Sequence, residues 1–282
     1  MTNLLEIILN SIDKVLNFYI RNFQDVKKKF SEKSVHDLRV TIRRFLAILN
    51  VLNHHISIGY LIILKKRLKK ELKLYNPLRD NQVQMLKIES LSLQFPILMN
   101  YLEFLRAKEL ELLNSIKEKI NLWSIDEINE DVFFLKLQLK QELPKSRTGI
   151  SDLVKSGYEE YLNVLERSAK LDKNNLDSFH QLRLAFKRFR YTMEFLQPIL
   201  NPPDSYFKEL KGFQDILGDI QDNRVLLENL NYWILNHDIQ NQSEYLQVIE
   251  FLINSRKNLF IKLNKRIKLL DKFWDSNFLN TI

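Results

Sequence analysis

Two stretches of the chain gather histidine and basic residues at helical spacing, and the chemistry they suit is the capture of anions. His36, Arg39, Arg43 and Arg44 form the first, and His180, Arg183, Lys187, Arg188 and Arg190 the second. At about 100° per residue, Leu38, Ile42, Phe45 and Leu49 make an apolar stripe. His36, Arg39 and Arg43 share another side, with Arg44 further round. The second stretch repeats this, with Leu182, Phe186, Phe189 and Met193 on the apolar side and His180, Arg183, Lys187, Arg190 and Tyr191 opposite. Both histidines therefore point away from the core. Helix neighbours at i, i+3 and i+4 stand about 5–6 Å apart, so one such face can meet successive phosphates of an extended chain. Arginine grips phosphate oxygens with a planar fork, and lysine supplies a point charge. Each histidine, set among arginines and bound anion, is expected to favour its protonated form. A third set, Lys65, Lys69 and Lys73, flanks the stripe Leu61, Leu64, Leu68, Leu72 and Tyr75, a position that suits the lining of a groove.

Other chemistries find less support. His237-Asp238 is an HD dipeptide and His54-His55 a possible metal pair, but a metal-dependent phosphohydrolase needs further spaced ligands and the chain has five histidines. No glycine-rich phosphate loop or convincing carboxylate cluster is visible, so no catalysis, metal or cofactor is expected. The absence of cysteine excludes disulfides and thiolate chemistry. Non-specific nucleic-acid binding would use the same phosphate contacts. The aromatic residues fall mostly in core stripes, however, rather than between exposed basic residues as stacking platforms. A scaffold for an acidic protein partner is a further alternative. A basic face on one amphipathic helix is most often solvated surface, and the anion reading rests on its recurrence.

That recurrence is an internal repeat. Val35 to Phe45 matches Phe179 to Phe189 at an offset of 144 residues. Leu68 to Val83 matches Leu210 to Val225 at an offset of 142. The chain reads as one domain over 1–282, made of repeat 1 (about 1–145) and repeat 2 (about 146–282), joined near Leu143-Pro144 and Gly149. The pattern predicts helices over 3–29, 34–53, 58–75, 79–93, 97–120 and 127–142, then 150–171, 176–197, 204–218, 221–236 and 242–270. Ser34 and Asp177 are the expected N-caps of the histidine-led helices. The expected fold is all-α, with two pseudo-twofold-related four-helix bundles around a basic groove or pore.

Composition agrees. Five glycines and six prolines in 282 residues leave little material for turns, which favours long helices on short loops. The net charge is +8, and the window from His36 to Arg79 alone holds ten basic residues against Asp37 and Glu71. Such concentration attracts polyanions. Ile56 to Leu64, the most apolar stretch, is too short to span a bilayer. The start, Met1-Thr2-Asn3, has no basic n-region, so a soluble cytoplasmic protein without membrane association is expected.

The motif His-x-Leu-Arg-(Val/Leu)-x-x-(Arg/Lys)-Arg, repeated half a chain later and followed each time by a Leu-Gly-x-x-x-Asp-like block, resembles the CHAD family, named for its conserved-histidine α-helical domain. The resemblance covers nearly the whole chain. It implies helical bundles around a basic groove and binding of inorganic polyphosphate, often at polyphosphate granules, with other phosphate-rich polyanions as further partners. By motif position it selects His36, Arg39, Arg43, Arg44, Lys69 and Arg79 in the first half. In the second it selects His180, Arg183, Lys187, Arg190 and Lys211. Leu46 stands where the second repeat has Arg190, so the first ladder is expected to be one rung short. Asn76-Pro77 replaces Leu217-Gly218 and is expected to alter the chain path there, and Asp80 and Asp222 read as orienting partners for basic groups. A CYTH-type triphosphate-processing domain often accompanies the family and has no room here, so the resemblance carries no enzyme activity.

Overall fold

The computed structural model describes residues 4–121, 123–237 and 242–274. They form ten α-helices and a short 3-10 turn at Leu270–Phe273, with no β-strand among the described residues. Six helices precede the join: α1 (Leu4–Lys29), α2 (Glu32–His55), α3 (Gly59–Leu74), α4 (Asn76–Ser92), α5 (Leu98–Ile120) and α6 (Ile125–Glu142). Four follow it: α7 (Ile150–Ala169), α8 (Leu176–Leu200), α9 (Asp204–Asn236) and α10 (Gln242–Ile267). None of the described helices is long and apolar enough to cross a membrane.

The apolar stripes are the core. Leu38, Ile42, Phe45 and Leu49 of α2 and Leu182, Phe186, Phe189 and Met193 of α8 are all fully buried. α1 packs on α2 and α7 on α8, while α2 and α8 also pack on each other. Two apolar clusters result. The larger takes Ile8 and Phe23 of α1 together with Val154 and Val164 of α7, Phe213 of α9 and Leu263 of α10. The smaller joins Ile88 of α4 and Tyr101 of α5 to Leu230 of α9 and Tyr245 of α10. Each cluster thus draws on both halves of the sequence.

Three local expectations need correction. Ser31, not Ser34, caps α2, its hydroxyl accepting from the Ser34 N–H. Asn175, not Asp177, caps α8, its side chain accepting from the Asp177 N–H. The separate helices expected over 204–218 and 221–236 are one 33-residue helix, α9. Gly218 inside it costs only about 1 kcal/mol relative to alanine, and both arms are anchored in apolar clusters. At the matching place in the first half the chain does break, between α3 and α4. Pro77 sits in the first turn of α4, where its missing N–H is tolerated but would have cost an interior hydrogen bond in a continuous helix.

Candidate functional site

The packing of α2 on α8 brings the two histidine-led faces together. Arg39 and Arg43 of α2 and Arg183 and Lys187 of α8 lie close enough for each cation to disfavour charge on others. Desolvation and then Arg43, Arg183 and Arg39 push the Lys187 ammonium down to about 6. Arg39 is pushed down to about 10 by burial first and Arg43 second. Burial also lowers Arg183, against the pull of Asp222. No ion pair to a described carboxylate is made by any of the four. Asp80 and Asp222 act on them at longer range, in keeping with an orienting role. Asp222 is itself raised by burial, with Arg183 opposing.

The two central arginines differ, and the break in the first half explains it. Arg39 is 5% exposed, donates to the Leu72 carbonyl near the end of α3 (3.5 Å) and to Asn76 Oδ1. It therefore satisfies a helix C-terminus as well as carrying charge. The residue matching Asn76 in the second half is Gly218, inside unbroken α9, which offers neither side chain nor helix end. Arg183 Nε is buried without a hydrogen-bond partner among the described residues. A buried guanidinium N–H in that state costs free energy until an acceptor arrives.

The remaining basic residues fall into separate groups. Arg79 is half-buried beside this cluster and paired with Glu32, with burial lowering it and Asp222 and Asp80 opposing. His180 meets Gln221, its Nδ1 3.1 Å from Oε1. His36 is exposed at the start of the face, and its pKa is lowered rather than raised. Desolvation lowers it, Asp37 opposes, and Arg43 and Arg39 lower it further. Burial and the neighbouring arginines thus act against the expected protonated state. Lys69 and Lys73 are exposed on α3, and half-buried Lys65 is lowered by desolvation and then by Lys69. Arg44 and Arg190 both engage Glu194, at 2.6 and 3.0 Å, on the wall of a cavity of about 550 Å³ that Lys211 also lines. Arg188 pairs with Glu160 of α7 at 3.3 Å, in a separate cleft with His54. It points away from the cation cluster and does not join it.

The weaker metal candidates do not assemble. His54 lies 3.9 Å from Glu159, and His55 Nε2 is 2.7 Å from the Ser156 hydroxyl. His237 Nδ1 meets the Trp233 carbonyl at 2.8 Å, and Asp238 lies outside the described residues. Among the described residues no group of three or more His, Asp or Glu could hold a metal ion.

Sequence reasoning missed a matched pair of asparagines. Asn81 and Asn223, each 2% exposed, donate to the Leu105 and Leu252 carbonyls at 2.9 and 3.0 Å. They tie α4 to α5 and α9 to α10 just beyond Asp80 and Asp222. The signal was present, since both follow the aligned aspartates directly.

The comparisons with known proteins bear on the family and the fold. A family model described as "CHAD domain" matches residues 11–231. The fold is similar to the crystal structure of the CHAD domain from the plant Ricinus communis, with a TM-score of 0.67 at 18% identity, over 99% of this chain and 92% of that one. It is also similar to PptA from Streptomyces chartreusis, with a TM-score of 0.64 at 12% identity, over 95% of this chain and 99% of that one. No curated protein matches the sequence.

Proposed function

The chain belongs to the CHAD domain family, and from that premise we propose that it binds inorganic polyphosphate without catalysis, through the faces of α2 and α8. The family is associated in general with binding of polyphosphate or triphosphate. The observation that carries the finer reading is the gathering of Arg39, Arg43, Arg183 and Lys187, where the arginines act against charge on Lys187 and none of the four has an ion-pair partner among the described residues. A linear polyanion supplies what they lack. Its oxygens are spaced along a chain, as the cations are spaced along the helices, and no base-reading element is needed. In this reading the two sequence repeats are pseudo-twofold partners, each contributing one rung-bearing helix to a shared basic groove. Granule association follows from the same affinity.

The test is titration of long-chain polyphosphate into the protein at several salt concentrations, beside an Arg39→Ala/Arg183→Ala variant whose helicity is checked. The expected result is tight binding with a steep salt dependence and a large loss in the variant. Binding no better than that of an unrelated protein of equal charge would reject the reading. In that case a scaffold role toward an acidic protein would take its place.

A further inference from the structure

The cavity that holds Arg44 and Arg190 differs from the cation cluster in having apolar walls. Phe18 of α1, Tyr191 and Phe195 of α8 and Phe207 of α9 line it, so four aromatic rings bound one space of about 550 Å³. Phe18 is 46% exposed there, so its ring is accessible from the cavity. A volume of this size, mainly apolar with a few placed polar groups, is characteristic of small-molecule sites.

Its polar groups are mostly cations. Among the described lining residues Glu194 is the one carboxylate, and it is already shared between Arg44 and Arg190. Lys14, Lys208 and Lys211 are exposed at the same cavity and make no ion pair with a described carboxylate. Ser11 and Gln197 add hydrogen-bonding side chains. Pro198 lies within α8 and has no N–H to give, so the Glu194 carbonyl lacks its usual intrahelical partner at this wall.

The cavity shares a face of α8 with the site already described. Arg183, Lys187, Arg190 and Glu194 fall on one face of α8, since steps of three and four residues return to the same side. From Glu194 back to Lys187 is about 10 Å along the helix. A ligand seated between the aromatic rings can therefore run a short phosphate chain past Arg190 toward Lys187 and Arg183.

We propose that this cavity binds the base and sugar of a nucleoside polyphosphate, whose phosphates lie along α8 on the cations that receive polyphosphate. The phosphate half rests on the function proposed above, whereas the base half stands on the aromatic cavity. A flat ring suits it better than an acyl chain, because the accessible Phe18 and partly accessible Phe207 offer stacking and Ser11 and Gln197 can meet a base edge.

The test compares ATP, inorganic tripolyphosphate, adenosine and decanoate by calorimetric titration, with long-chain polyphosphate as a fifth arm. ATP is expected to bind about tenfold more tightly than tripolyphosphate, the factor that one stacked base contributes. Phe18→Ala, a change at an exposed position, removes that advantage and leaves long-chain polyphosphate binding unaltered; Phe207→Ala does the same. Equal affinity for ATP and tripolyphosphate overturns the nucleotide proposal while polyphosphate binding survives. Failure of every phosphate ligand rejects both readings together. Decanoate that binds more tightly than ATP and displaces it overturns the proposal in favour of an acyl anion.

Discussion

Lys187 provides a sharp test of the cation cluster. In the unliganded protein its ammonium is held at about 6 instead of the ordinary 10.5, by burial and by Arg43, Arg183 and Arg39. At pH 8 the amine is then mostly neutral. A bound polyphosphate places negative charge beside it, restores the charged form and draws in a proton. The complex binds more protons than the free protein, so affinity falls as pH rises above about 6. Linkage sets the size: one proton taken up per site lowers affinity about tenfold per pH unit, for as long as the amine remains protonated in the complex. Between pH 7 and pH 8.5 this amounts to roughly a thirtyfold loss. Polyphosphate titrations across that range, run in two buffers of different ionisation enthalpy, read both the slope and the proton uptake directly. Lys187→Arg keeps a cation that remains charged throughout, and its slope should be shallower than the wild type's by the share of the amine. The reasoning is refuted if the wild type takes up no proton at pH 8, or if Lys187→Arg retains the wild-type slope.

The difference between the central arginines predicts a division of labour. Arg39→Ala deprives the end of α3 and Asn76 of their donor and should lower stability by roughly 1–3 kcal/mol. Arg183→Ala removes an unsatisfied buried group and relieves Lys187, so it should hardly change Tm yet weaken polyphosphate binding by roughly 1.5–3 kcal/mol, the value of a charge-assisted hydrogen bond. Thermal melts without anion, beside titrations, check this; the reverse pattern of Tm changes would contradict it. Glu71, fully buried in α3 and hydrogen-bonded by the Tyr19 hydroxyl at 2.8 Å, is raised from 4.5 to about 8 by burial. A raised carboxyl contributes most below its unfolded pKa, and that stability is lost as pH rises from 4.5 through about 8, by roughly 4 kcal/mol. Glu71→Gln keeps an acceptor for Tyr19 without the charge, so its stability should fall less than the wild type's between pH 5 and pH 8.5; parallel denaturation curves at the two pH values would disprove the assignment.

The apolar stripes were legible because they depend on spacing along one helix face. Leu38, Ile42, Phe45 and Leu49, and their counterparts in α8, needed only the 3.6-residue period. The histidine-led faces were legible for the same reason, and α2 against α8 brings four of their cations together. Arg188 was not separated from them, although it lies about 140° round the helix from Arg183 and pairs with Glu160. Helix ends were less legible. Ser31 and Ser34 are chemically alike as caps, and the choice depends on where the backbone turns. Whether a chain breaks at Gly218 or Pro77 was decided by what the helix packs against beyond that point. The lowered charge on Lys187 was invisible, since it depends on burial and on Arg43 and Arg39 brought in from the other half; His36 is lowered by burial first and then by arginines of its own helix.

Unbroken α9 has a mechanical consequence. At 33 residues it is about 50 Å long. Leu210 and Phe213 are fixed in the larger apolar cluster, and Leu230 and Trp233 in the smaller. Asp222, the counter-charge to Arg183, stands near the midpoint of this shaft. A tilt imposed on the far tips of α9 and α10 must therefore be felt at Asp222 and by the cations it steadies. The first half has a joint at Tyr75 and Asn76 instead. The molecule thus has a continuous shaft on one side and, on the other, two helices meeting at a joint that Arg39 pins.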